Sequence, residues 1–249
     1  MKKREHLENT AEQEALAAQL GESDTFIDKM KRMAADNKLA VFSAFVILFF
    51  LLLAVCAPLL TPYSFEDQDL LSRLSAPSAK HLLGTDELGR DVLTRLLYGA
   101  RVSLAVGIIP TIASMVIGVL LGMISGYVGG IVDAVIMRLA DVVLSFPSLL
   151  LAMVIMYTLG DGITSIFIAL AITSWAGVAR VIRSETLTLR ETEYVEAARS
   201  MGVKDFTIIL RHVFPNCIPS LIVLFTLDVP SAILSESALS FLGIGVQLP

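Results

Sequence analysis

The chain has 249 residues, of which 55% are hydrophobic and 17% charged, and its formal net charge is −5. A mean hydropathy of +0.74 excludes an ordinary soluble domain and is typical of a protein that crosses a membrane several times. The acidic balance offers no basic surface for nucleic acid, so we expect lipid and not nucleic acid around this protein. The composition predicts an all-α polytopic membrane protein.

The amino-terminal part is a polar lead followed by an apolar run. Residues 1–38 carry seven Lys and Arg side chains and are too long for the lead of a signal peptide. Residues 39–60 carry no charge and would form a helix roughly 33 Å long, enough for a hydrocarbon core of ~30 Å. We predict a cytoplasmic segment over 1–38 and the first transmembrane helix over 39–60.

A polar segment over 61–101 follows. Its five basic residues are balanced by six acidic ones, whereas 180–215 has six Lys and Arg, so the charge asymmetry places 61–101 outside the cell and the later region inside. The run from His81 to Asp91 predicts a turn that leads into a helix along the membrane surface. Oxygen and nitrogen ligands are present there, but their spacing matches no standard metal site, and we predict no metal or cofactor in this chain. Those candidate ligands are His81, Asp86, Glu87 and Asp91.

Residues 102–249 form the predicted core domain. Four further apolar runs bring the count to five spans, and Pro147 is expected to kink the third of them. Arg138 either pairs with Asp141 one helical turn on or stays solvated at the interface. The four runs are 102–132, 142–160, 162–179 and 213–245, the last interrupted only by Asp228 and Glu236.

The second span carries a small residue at every fourth position. Such a stripe lets a neighbouring helix approach closely, either within this chain or across a subunit interface. The stripe consists of Ser114, Gly118, Gly122, Gly126 and Gly130. We take Gly118, Gly122 and Gly126 as candidates for a pathway or subunit interface.

Asp228 and Glu236 are the two charges inside the last predicted span. A carboxylate at mid-bilayer costs roughly 2.5–3.5 kcal/mol on insertion scales, so each should face a cavity, a partner or the protein interior. The residues are read as lining a translocation pathway or a subunit interface. The plainer interpretation is that these two residues lie at a helix end, nearer to the headgroups than the span prediction implies. The alternative function for the protein is an ion-coupled secondary transporter that uses both carboxylates.

The loop over 184–216 is polar and rich in helix formers. Glu193 to Met201 predicts a short helix that ends at Gly202 in a left-handed conformation. Asp205 can cap a second helix, whose predicted apolar face is Phe206, Ile209, Leu210, Val213 and Phe214, and Pro215 should end it. We predict that the first helix docks into a groove of a motor protein, although an amphipathic hairpin at the interface would show the same pattern. The residues assigned to this contact are Glu193, Tyr194, Glu196, Ala197, Ala198, Met201 and Gly202.

Catalytic signatures are missing from the sequence. There is no phosphate-binding loop of the G-x-x-x-x-G-K-[ST] type and no His-Glu-x-x-His zinc motif. We therefore expect no enzyme activity and no catalytic residue in this chain. If transport is driven by ATP, hydrolysis takes place in another polypeptide.

Several motifs together carry a family resemblance. Glu196-Ala197-Ala198 with Gly202 and Pro215 resembles the coupling loop of permeases of ATP-binding-cassette (ABC) importers. Further motifs are similar to those of the C-type permease subunit in the dipeptide, oligopeptide and nickel branch, and the resemblance runs from about residue 38 to the end. These motifs are Gly84-Thr85-Asp86, Gly89-Arg90-Asp91, Leu97-Tyr98-Gly99-Ala100-Arg101, Gly126-Tyr127-Val128-Gly129-Gly130, Met137-Arg138-x-x-Asp141 and Leu239-Ser240-Phe241-Leu242-Gly243.

The resemblance implies a fold, partners and a location. It implies the type I ABC importer transmembrane fold in a bacterial or archaeal inner membrane, with the amino terminus in the cytoplasm. It also implies a second permease subunit, two cytoplasmic ATPases that hold ATP and Mg²⁺, and an exterior binding protein that delivers a dipeptide, an oligopeptide or a nickel chelate. Family members continue into a sixth span, so we expect this five-span chain to be truncated.

Overall fold

The computed structural model describes residues 37–160 and 162–245. All of the predicted cytoplasmic segment except residues 37 and 38 lies outside the described residues. The described part is built from helices, with one isolated β-bridge between Thr85 and Asp91. The helices are α1 (Lys38–Leu60), a 3-10 turn (Leu70–Ser72), α2 (Val92–Val128), α3 (Gly130–Ser145), α4 (Ser148–Leu159), α5 (Ile163–Arg190), α6 (Glu193–Ser200), α7 (Asp205–Ile208), a π-helical turn (Ile209–Val213) and α8 (Phe214–Phe241).

Four of these elements are long and apolar enough to cross a membrane: α1, α2, α5 and the continuous helix Asp205–Phe241. The pair α3 and α4 passes the same test together but is bent by 94°. Counted as one broken span, the pair gives the five spans that the hydropathy predicts. The first span agrees with its predicted bounds to within one residue.

Helix α2 corrects the prediction for the region around residue 100. No separate surface helix forms, because α2 runs without interruption for 37 residues from Val92, and the predicted domain boundary at 101 and 102 falls inside it. Charged side chains lower the hydropathy of the first turns but do not break a helix. Asp91 caps α2, accepting hydrogen bonds from the Thr94 backbone N–H at 2.8 Å and from its hydroxyl at 2.7 Å.

Two carboxylates organise the turn that precedes α2. Asp86 accepts hydrogen bonds from the Leu88 and Arg90 amides and from the side chains of Arg90 and Arg95. Burial alone would raise the pKa of Asp86, but these donors hold it well below its usual range. His81 Nδ1 lies 3.0 Å from Asp91 Oδ1. Three of the four residues weighed as metal ligands therefore make other contacts, and the fourth, Glu87, is exposed. Within the described residues, no group of three or more His, Cys, Asp or Glu side chains is placed to hold a metal ion.

The third predicted span is broken where a kink was expected. Phe146 is extended, with ψ of 143°, and Pro147 precedes the first turn of α4, because a proline disfavours helical backbone in the residue before it. Residues 142–145 therefore belong to α3 and not to the helix that follows. Asp141 pairs with Arg180 at 2.5 Å instead of with Arg138, whose side chain is exposed.

The small-residue stripe of α2 packs against α5, and among the described helices this pair makes the most extensive contact. A Cβ atom added at Gly118 would lie 2.6 Å from Val178 Cβ, and one at Gly122 would lie 2.6 Å from the Ala179 carbonyl oxygen. At Gly126 the Arg183 carbonyl oxygen would be 2.8 Å away, whereas Gly130 has nothing within 4 Å. These three glycines therefore make a contact within the chain, which corrects their assignment to a pathway or subunit interface.

The last span begins before Pro215. The sequence predicts that this proline ends a short helix, but α7, the π-helical turn and α8 form one helix from Asp205 to Phe241. A proline leaves a carbonyl without its helical donor, and the wider π-helical turn at Ile209–Val213 precedes this site. The Asn216 side-chain amide also donates to the His212 carbonyl at 2.6 Å. Only 191–204 of the predicted loop over 184–216 lies between the long helices.

Candidate functional site

The short helix α6 lies between the two long helices α5 and Asp205–Phe241. Glu193 and Glu196 lie in its first turn and Arg199 in its last, which is the charge order that the helix dipole favours. The Val203 amide donates to the Ala198 carbonyl at 3.1 Å, and the Gly202 amide donates to the Arg199 carbonyl at 3.0 Å. This is a Schellman ending, and the φ of +78° at Gly202 confirms the predicted left-handed glycine.

Helix α6 has a buried side and an exposed side. Val195 and Ala198 are buried in a cluster with side chains of α2, α5 and the last span. The prediction that Ala198 enters a partner's groove is therefore wrong, because this alanine packs inside its own chain. The other residues assigned to the contact are exposed, Met201 to 77%: Glu193, Tyr194, Glu196, Ala197, Met201 and Gly202.

The start of the last span differs from its predicted pattern. Phe206 and Leu210 are 72% and 51% exposed, whereas Ile208, Val213 and Cys217 are buried. Steps of five and four residues between the buried positions fit a π-helical turn, which has more residues per turn than the 3.6 that the prediction assumed. The same cluster holds these three residues together with Val195 and Ala198, and so it anchors both helices of the loop.

Asp205 has a different role from the predicted one. The residue at the cap position is Lys204, and the Asp205 carboxylate instead accepts a hydrogen bond from the Tyr127 hydroxyl at 2.7 Å. The Arg199 guanidinium carbon lies 5.4 Å from the centre of the Tyr127 ring. Sequence reasoning did not assign Tyr127 to the site, and its only signal is an aromatic residue inside the motif from Gly126 to Gly130.

A second region lies between α4, α5 and α8. Asp228 lines a cavity of about 70 Å³, but Glu236 does not; it is 8% exposed and accepts a hydrogen bond from the Ser240 hydroxyl at 2.5 Å. Within the described residues, neither carboxylate forms an ion pair. The structure therefore does not join the two carboxylates in one site. The cavity is lined by Ser148, Leu149, Ala152, Leu170, Thr173, Ser174, Asp228, Ser231, Ala232, Ser235 and Leu239.

Comparison with known families assigns the chain. Residues 118–249 match the model of the "Binding-protein-dependent transport system inner membrane component" family, and residues 28–77 match the "N-terminal TM domain of oligopeptide transport permease C". The first match covers more than half of the chain and includes α6 and the cavity. The chain belongs to this family. It is a multi-pass inner-membrane permease of an ABC importer, with the type I transmembrane fold that the motifs imply.

Curated members of the family are similar over most of the chain. The dipeptide transport system permease protein DppC of Bacillus subtilis is 44% identical over 88% of this chain and 68% of its own length. The oligopeptide transport system permease protein OppC of the same species is 37% identical over 95% and 80%. The glutathione transport system permease protein GsiD of Pectobacterium atrosepticum is 41% identical over 84% and 70%. These family members are named as permeases and not as enzymes.

Proposed function

We propose that this permease forms one half of a translocation pathway for peptides or a related small solute, and that α6 couples it to a separate ATPase. The second half would be another permease subunit, and the ATPases would hold ATP and Mg²⁺. An exterior binding protein would deliver the solute. The names of three relatives, which refer to dipeptides, oligopeptides and glutathione, support a peptide over a nickel chelate.

The coupling proposal rests on one observation: one side of α6 is buried against its own chain, and the other side is exposed. Val195 and Ala198 are buried in the core, so a force applied to α6 reaches the long helices that pack around them. The exposed side combines carboxylates at Glu193 and Glu196 with the apolar side chain of Met201. Exposed apolar and charged groups on one anchored helix are suited to insertion into a protein groove.

The orientation is also part of the proposal. The excess of Lys and Arg in 1–38 and in 180–215 favours the cytoplasmic side for both. An even number of spans, three unbroken helices and one bent pair, separates the amino terminus from α6. With the amino terminus inside, 61–91 is exterior and α6 faces the compartment where the ATPases hydrolyse ATP.

Charge reversal on α6 tests the coupling proposal. Glu196→Lys should lower copurification of the ATPase and abolish the stimulation of ATP hydrolysis by loaded binding protein. Glu66→Lys is the matched control, since Glu66 is also exposed but lies in the segment between α1 and α2. If both variants keep wild-type copurification and stimulation, α6 is not the coupling element.

A further inference from the structure

We infer that Tyr127 is a positioning residue for α6, and that its hydroxyl holds the loop in the geometry that transmits ATPase closure. The inference rests on the proposed coupling function. Tyr127 is the next-to-last residue of α2 and is 7% exposed. Its hydroxyl binds Asp205 in α7, and its ring faces Arg199 in α6. One side chain therefore joins the ends of three elements.

The last turn of α2, which carries Tyr127, makes polar contacts with α5. Arg190 donates from Nη1 to the carbonyl oxygens of Gly126 at 3.1 Å and Tyr127 at 3.4 Å. Asp133 forms a two-point ion pair with Arg183, with an Nη2 to Oδ2 distance of 2.5 Å, and also binds the Ser125 hydroxyl. The last turn of α2 is therefore held to the end of α5 by polar contacts as well as by close packing.

Helix α6 borders an open cavity beside Tyr127, on the side of Glu196 and Arg199. The cavity, of about 750 Å³, lies between the end of α2 and the loop, and Tyr127, Arg190, Glu196, Arg199 and Asp205 all line it. The buried Val195 and Ala198 of α6 pack in the same apolar cluster as the Tyr127 ring. Displacement of α6 toward the cavity is opposed by this packing and by the Arg199–Tyr127–Asp205 contacts.

The hydroxyl group of Tyr127 can be removed by substitution without changing the packing of the ring. The ring lies in the apolar cluster with Met123, Val178 and Ile182, and Tyr127→Phe keeps that ring and its contact with Arg199. The substitution removes the hydrogen bond of the hydroxyl to the Asp205 carboxylate, a bond to a charged group and therefore among the stronger ones, together with the polar contact between the hydroxyl and Arg199. A change in coupling after Tyr127→Phe would report on position and not on core stability.

The experiment uses the reconstituted complex of both permeases, the ATPases and the binding protein loaded with its peptide. We expect Tyr127→Phe and Asp205→Ala each to reduce the stimulation of ATP hydrolysis by at least about fivefold, the lower end of typical coupling between sites. The double variant should lose less stimulation than the two single losses combined, because both single variants remove the bond between Tyr127 and Asp205. Asp205→Asn keeps an acceptor oxygen and should retain more stimulation than Asp205→Ala. Tyr157→Phe is the control, since Tyr157 is largely exposed in α4.

Copurification of the ATPase should stay at the wild-type value in Tyr127→Phe, and the melting temperature should fall by no more than a few degrees, the effect expected from the lost hydrogen bonds. If copurification falls together with stimulation, or if the melting temperature falls by more than about 10 °C, Tyr127 is a structural residue and the inference is overturned. If Tyr127→Phe keeps full stimulation while Glu196→Lys loses it, the positioning role is wrong and the coupling role of α6 stands. If Glu196→Lys also keeps full stimulation, the proposed coupling function itself fails.

Discussion

Gly122 gives the sharpest test of the packing between α2 and α5. A Cβ atom at this position would lie 2.6 Å from the Ala179 carbonyl oxygen and 3.2 Å from the Ala179 Cα atom. Both are backbone atoms, so relief requires a shift of one whole helix against the other. Gly122→Ala should therefore destabilise the permease by about 1–3 kcal/mol, the usual cost of overpacking, before the gain from helix propensity is counted.

Gly99→Ala separates these two effects. Gly99 lies in the same helix, and a Cβ atom there has nothing within 4 Å. The control variant therefore gains only the propensity term, about 0.5–1 kcal/mol in favour of alanine, which Gly122→Ala gains as well. The two variants should differ by the packing cost alone, about 1–3 kcal/mol.

Thermal melting of the purified complex measures the difference. At about 2–4 °C per kcal/mol for a domain of this size, Gly122→Ala should melt roughly 2–12 °C below Gly99→Ala. Gly122→Leu should melt lower still and reduce the yield of the complex. Equal melting temperatures for the two alanine variants would show that α2 does not approach α5 closely at Gly122, and the account of the stripe would be wrong.

Three further predictions follow from the loops. Gly202→Val should keep membrane insertion but weaken ATPase copurification, because a β-branched residue at a φ of +78° is strained by about 1 kcal/mol or more. Gly202→Asn should weaken copurification less, and equal copurification of both variants would contradict this prediction. The pKa of Asp86 is lower in the folded than in the unfolded protein. Ionised Asp86 therefore contributes its full stabilisation to the folded state above the unfolded pKa of about 3.9, and this stabilisation is lost as the pH falls toward the pKa in the folded protein. The stability gap between wild type and Asp86→Asn, followed by chemical denaturation, should therefore be constant near pH 7 and shrink below about pH 4. Impermeant thiol reagents should modify Ser78→Cys and spare Ser200→Cys from outside, and the reverse pattern would refute the orientation.

Local chemistry in the sequence predicts much of the site. Gly202 follows a short run of helix formers, and its left-handed conformation depends on residues within one turn, so the prediction is confirmed. The spacing of the small residues in α2 predicts a close helix contact, and the structure supplies the partner, α5. Composition alone leaves that partner open, because a stripe of glycines has the same appearance whichever helix covers it.

The errors lie where distant residues decide the outcome. Asp205 has the sequence context of a helix cap, but its carboxylate binds Tyr127, which is 78 positions away in the chain. Ala198 is small enough for a partner's groove, yet the side of α6 that faces the core is set by the cluster around Ile182 and Val213. A proline predicts that one helical hydrogen bond is lost, but not whether the chain breaks, as at Pro147, or continues through a π-helical turn, as at Pro215.

The energy source for transport tests the central claim most directly. The permease pair, with its ATPases and loaded binding protein, is reconstituted in vesicles that carry no ion gradient and contain an ionophore, and peptide uptake is followed with and without ATP. We predict uptake that requires hydrolysable ATP and the ATPase subunits and that is unaffected by the ionophore. Uptake that is driven by an imposed proton or sodium gradient in vesicles without the ATPases, and that is lost in Asp228→Asn, would contradict the account.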